Sequence, residues 1–240
     1  LQAAAEALTD SETGQFGVGL FGHRGEDSVV VMNSFVYSNG GSVLDDMGAC
    51  ALNQPEAVEA LTYLQGLVEF APEGILNASS GDMRELFLNE SLAMEFWPAL
   101  EQPTLQASDL NWEFVVGHAP EGMTPVGTYG GWNLVVYEDS PNKEAAWRFI
   151  EFLTSPEING QVVDLIPANI EAADAFLNEN RVGPERIIEH LNNARPRPLS
   201  PQYLEIAEVQ LDLIQEVYDG GDVQAAADAA CAEIDDITGM

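Results

Sequence analysis

Residues 52–70, LNQPEAVEALTYLQGLVEF, set Val58, Leu61, Leu64, Leu67 and Val68 at the spacing of one helical face. Asn53 can cap this helix, and Pro55 suits its first turn, where a missing N–H costs no hydrogen bond. A helix with a single apolar stripe is stable only against another layer. The fold class therefore depends on what stands on either side of it.

On its N-terminal side, GQFGVGLFG and SVVVMNSFVYSNGG are apolar, β-branched runs closed by glycines, read as strands or as a buried strand followed by a helix. Beyond it, SSGDMRELFLNES predicts a short helix with a serine or aspartate cap, and LAMEFW, WEFVVGHAP and GGWNLVVY predict strands. SPNKEAAWRFIEFL predicts a helix capped by Ser140 with Pro141 first, SPEINGQVVDLI another, and the rest of the chain is nearly all helical. The opening LQAAAEALTD lacks a basic start and reads as an amphipathic helix, not a signal peptide. Strands alternating with helices over the first two thirds predict an α/β architecture with a helical C-terminus.

The chain carries forty Asp and Glu against eight Lys and Arg, a net charge of −32, and Lys143 is its sole lysine. Nucleic acid and anionic membrane surfaces are thereby disfavoured as partners. Self-repulsion of this size is screened only at high ionic strength, which predicts a salt-loving source. No run of eighteen apolar residues is present, so no membrane insertion by a helix of this chain is expected. Cys50 and Cys231, 181 positions apart, fit neither a CxxC redox motif nor a four-cysteine zinc site. They are either one long-range disulfide of an exported chain or two buried thiols.

Signatures of catalysis are missing: no GxSxG, no HExxH, no GxxxxGK[ST], and in GVGLFG the glycines are misplaced for a dinucleotide loop. His23, His118 and His190 stand apart from one another. Acidic neighbours such as Asp45–Asp46 and Asp235–Asp236 are what so acidic a composition produces by chance. No cofactor and no metal are expected. Trp147 and Phe149 lie on the helix after Lys143 at helical spacing with Ile150 and Leu153, as core residues do. Trp97 and Trp132 instead sit at strand ends beside proline or glycine, where side chains tend to face a cleft. A pyranose offers an apolar C–H face and a rim of hydroxyls, which asks for a flat aromatic and for backbone N–H groups freed by glycine.

Taken in order, NSFVYSNGGSVLDDMG, LNQPEAVEALTYLQGLV, LFLNESLAMEFWPA, VVGHAPEG, YGGWNLVV, SPNKEAAWRFIEFLTSPE, IPANIEAA, ARPRPLSPQY and GGDVQAAADAACAEIDDI resemble the C-terminal 60% or so of a family 1 extracellular solute-binding protein. This is the receptor type of sugar ABC importers, in the maltose- and trehalose-binding group. The resemblance implies a type II periplasmic-binding-protein-like fold: one nearly complete lobe, part of the second and a helical C-terminus. Residues 1–115 and 166–240 would form the C-terminal lobe, and 116–165 the partial N-terminal lobe with crossing segments near VVGHAPEG and LIPAN.

The same resemblance implies a monomeric receptor, extracellular or periplasmic, that binds a disaccharide such as trehalose or maltose between its lobes. The lobes close on the sugar and present it to membrane permease subunits. Trp97 would face the sugar from one lobe, and Gly130, Gly131 and Trp132 from the other. Arg197, or else Arg195, would donate its guanidinium fork to vicinal hydroxyls, with Asn33 and Tyr37 as further contacts. About 150 residues that normally come first in the family, with the export signal and part of the first lobe, are not in this sequence, which predicts weak sugar affinity and exposed apolar surface. Two other readings remain: a glycoside-processing enzyme, which needs a carboxylate pair, and a sugar sensor partnering a membrane kinase.

Overall fold

The computed structural model describes residues 1–96, 101–162 and 165–240. Its helices are α1 (Gln2–Leu8), α2 (Glu26–Ser38), α3 (Pro55–Leu67), α4 (Ser80–Leu88), α5 (Gln102–Gln106), α6 (Lys143–Leu153), α7 (Pro156–Val162), α8 (Ile170–Asn180), α9 (Pro184–Asn193), α10 (Tyr203–Tyr218) and α11 (Val223–Thr238). Two short strands, β1 (Thr128–Tyr129) and β2 (Arg195–Pro196), pair in parallel, with Thr128 opposite Arg195 and Tyr129 opposite Pro196. The chain divides into two compact units: Leu1–Trp97, Val116–Tyr129 and His190–Met240 form the first, Pro98–Val115 and Gly130–Glu189 the second.

In the first unit α3 forms where the sequence places it and buries Ala57, Ala60, Leu61, Leu64 and Leu67. The buried stripe is rotated from the expected one, since Val58 and Val68 are only half-buried and the small Ala57 and Ala60 face the core. Gln54, not Asn53, precedes the helix; the Asn53 Oδ1 that would cap it accepts instead from Gln54 Nε2 at 3.1 Å, while its Nδ2 donates to Asp228 Oδ1 at 3.1 Å. The core joins α3 to α2, α10 and α11, with Met32, Leu61, Leu64, Ile206, Ile214 and Ile234 enclosed. At α4 the predicted serine cap is Ser79, whose Oγ accepts from Asp82 N while the Asp82 carboxylate takes the Ser79 N–H, closing a capping box. A disulfide joins Cys50 to Cys231, resolving the two alternatives open in the sequence.

Of the paired readings for residues 15–41, the second holds: 16–19 is extended and 26–38 is helix. Residues 16–19 lie parallel to 92–95, with Phe16 N donating to Ser91 O at 3.0 Å and Gly19 N to Met94 O at 2.8 Å. Gly17 is required here, since a Cβ would stand 2.0 Å from the Ala5 carbonyl oxygen.

Two predicted strands do not form: 112–120 and 130–137 carry no ladder. The β-branched composition is right, but a strand needs a neighbour to receive its N–H and C=O groups, and none among the described residues lies beside either segment.

The second unit has a small core of Phe176, Leu177 and Ile187 with Phe114 and Ile166 against it. The buried Gln102 side chain holds Val182 through both backbone groups, accepting from its N at 2.9 Å and donating to its O at 3.2 Å. These contacts tie 102–114 to 166–188 within this unit. Helix α6 starts at Lys143 after Asn142, later than the Ser140–Pro141 start expected; Ser140 Oγ instead accepts from Asn142 N in the preceding turn. Its aromatic face is not core: Trp147, Phe149 and Phe152 are each more than half exposed. Ala146, Ile150 and Leu153 are the half-buried positions of α6, while the large aromatics lie outside that half-buried strip.

Candidate functional site

In the second unit Trp132 follows Gly130 and Gly131 directly after β1, with its side chain 77% exposed. A Cβ at Gly131 would meet nothing within 4 Å, so the backbone there is open on its outer side. Leu134, Val135 and Tyr137 continue the segment and are exposed as well. Most of the indole is therefore open to solvent. Trp97, the other aromatic expected at a sugar, lies outside the described residues.

In the first unit β2 carries Arg195, Arg197 directly follows it, and the two arginines differ in what holds them. Arg195 lies over the Tyr37 ring at 5.6 Å, and its Nη1 donates to Gly41 O at 3.4 Å. Tyr37 is buried and donates from its hydroxyl to Pro196 O at 3.3 Å; desolvation pushes its pKa up to about 12, so it stays a neutral donor. Arg195 and Tyr37 thus fasten β2 to α2 and to the loop after it.

Arg197 lies over the Tyr203 ring at 5.4 Å and gives Nη1 to Glu26 Oε1 at 2.6 Å. The Tyr203 hydroxyl donates to the same carboxylate oxygen. Glu26 is the first residue of α2, where the helix dipole favours a carboxylate. The hydrogen bond to Glu26 raises the Arg197 pKa further, and burial, followed by the Glu26 contact, raises that of Tyr203.

Asn33 stands apart from both arginines. It is fully buried, and its Oδ1 accepts from Gln210 Nε2 at 2.6 Å, which makes it an interior link between α2 and α10. Sequence reasoning singled out Arg197 but passed over Glu26 and Tyr203. Tyr203 lay inside the quoted ARPRPLSPQY stretch; Glu26 is 171 residues from Arg197, with no local signal to join them. A shallow hollow of this unit, bounded by Gln2, Pro55, Tyr63 and Gly66, contains none of the expected residues.

A profile of the bacterial extracellular solute-binding proteins matches residues 1–160. A protein of Brucella abortus that carries the name of a binding protein is 26% identical over 230 residues, 92% of this chain and 56% of its own length. The chain thus spans about half the length of the curated relatives it matches. An ABC transporter solute-binding protein of Thermotoga lettingae, crystallised with alpha-D-tagatose, superposes with a TM-score of 0.86 at 27% identity, over 98% of this chain and 62% of that one. Maltose-bound MalE3 of T. maritima superposes with a TM-score of 0.84 at 25% identity, over 98% of this chain and 64% of that one.

Proposed function

The chain belongs to the bacterial extracellular solute-binding proteins, and from that premise we propose that it serves sugar uptake as the ligand-binding component of an ABC importer. Its partners are then a neutral sugar, disaccharides of the maltose or trehalose kind foremost, and the permease subunits to which the sugar is handed. The observation that carries this reading is the uncovered indole of Trp132, 77% exposed behind two glycines. Exposed apolar area of that size is costly in water unless a ligand or partner covers it. A sugar ring covers it while keeping its hydroxyls at the rim.

Two further observations support the reading. The solved relatives named above carry tagatose and maltose, both neutral polyols. The Cys50–Cys231 disulfide suits an oxidising, extracytoplasmic compartment. Arg197 is the better donor of the two candidates, because Arg195 is committed to Tyr37 and Gly41.

The test is a titration of tryptophan emission with maltose, trehalose, tagatose and ribitol, repeated on Trp132→Ala. Burying an aromatic face is worth about 1.5–3 kcal/mol, so the variant should bind about 10- to 150-fold more weakly. An unchanged affinity removes Trp132 from the site. No response to any of the four removes sugars as the ligand class.

A further inference from the structure

Arg197, Glu26 and Tyr203 form a unit whose chemistry goes further than a donor for hydroxyls. Both bonds to Glu26 fall on Oε1; among the described residues no donor reaches Oε2. Glu26 is likewise the one carboxylate or carbonyl that accepts from Arg197 among the described residues, so most of the guanidinium fork is left over. The two side chains retain 29% and 42% of their exposure, enough for a small ligand to reach both. Tyr203 closes the far side, its ring under the guanidinium plane and its hydroxyl on the carboxylate.

We propose that Glu26 is a specificity-determining residue: paired with Arg197, it makes a charge-neutral donor and acceptor array that accepts uncharged polyols and rejects anionic ones. The inference rests on the sugar-binding reading and concerns selection within it. An unpaired arginine would bind a carboxylate or phosphate through two parallel N–H bonds, more strongly than it binds a diol. With Glu26 in place the positive charge is cancelled, and an incoming anion meets the free Oε2. A vicinal diol meets no such penalty, because one hydroxyl can accept from the fork while the other donates to Oε2. Tyr203 acts as a positioning residue, fixing the carboxylate by its hydroxyl and the guanidinium by its ring.

The experiment measures saturation-transfer NMR titrations of the 240-residue chain with maltose and with maltobionate, the same disaccharide oxidised to a carboxylate. The wild type should favour maltose. Glu26→Gln keeps the side-chain shape but frees the charge: maltose should weaken about tenfold while maltobionate tightens, reversing the preference. Glu26→Asp retains the negative charge and should retain the preference for maltose. A purely structural role would move both ligands together, so parallel changes, or none, in Glu26→Gln overturn the inference and leave the sugar-binding reading standing. Absence of saturation transfer from either ligand in the wild type overturns that reading, and the inference with it.

Discussion

Cys50 and Cys231, 181 positions apart, are joined by a disulfide that ties the loop before α3 to the middle of α11. The bond is reinforced alongside, since Cys50 N donates to Asp235 Oδ1 at 2.7 Å one turn further along the same helix. A closure of this length removes much of the freedom of the unfolded chain, worth about 5 kcal/mol in the chain-entropy account. The double variant Cys50→Ser, Cys231→Ser should lose about 2–5 kcal/mol of unfolding free energy in urea. The same loss should appear in the wild type on reduction, and a loss well under 1 kcal/mol would show that the loop and α11 are held together without the bond.

His118 packs edge-on against Phe35, their ring centroids 4.1 Å apart, with Tyr63 and Phe96 also around it. Desolvation lowers its pKa to about 4 from 6.5. The folded state therefore prefers the neutral ring. The contribution is complete above about pH 6.5 and is lost as the pH falls from there toward 4, because the unfolded chain takes up a proton that the folded one refuses. Proton NMR of the imidazole should give a midpoint near the lower value. His118→Phe keeps the aromatic contact and should flatten this part of the stability profile; an imidazole titrating at its ordinary value would contradict the packing.

Asn33 and Gln210 share one hydrogen bond inside the core, while Asn33 Nδ2 and Gln210 Oε1 have no partner among the described residues. Changing Gln210 alone to Met strands the Asn33 oxygen as well, at about 1–3 kcal/mol. The double variant Asn33→Leu, Gln210→Met removes every unmet group and should cost less than the two single changes summed. Urea unfolding of the four proteins closes the cycle, and simple additivity would show that the amides do not interact energetically.

How far the sequence could be read differs by residue type. Apolar spacing located α3 and a capping motif located α4, since both signals are local and act within one or two turns. The segments 112–120 and 130–137 have strand composition without strands, because a ladder is a property of two segments and composition belongs to one. Exposure of Trp147 and Phe149 was equally illegible: helical spacing says that residues share a face, not that anything covers it. Among the candidate residues, Arg197 is named through a short motif and Trp132 through its glycines, whereas Glu26 has no local signal, because its contact with Arg197 spans 171 positions.

The charge of −32 leads to a prediction in which two electrostatic effects oppose each other. Salt weakens attractive pairs such as Arg24 with Glu208 and Asp212, and Lys143 with Glu138. These lie at the surface, where each pair is worth about 0–1 kcal/mol, and eight basic side chains set an upper limit on their number. Salt also weakens repulsion among forty carboxylates, most of which have no cation to face. The Debye length falls from about 30 Å at 0.01 M to about 3 Å at 1 M, so repulsion that reaches across several neighbours at low salt is nearly extinguished at high salt. Repulsion is the larger effect, and the thermal midpoint should rise with sodium chloride over that range. A midpoint that falls would mean that the few ion pairs outweigh the many unpaired carboxylates.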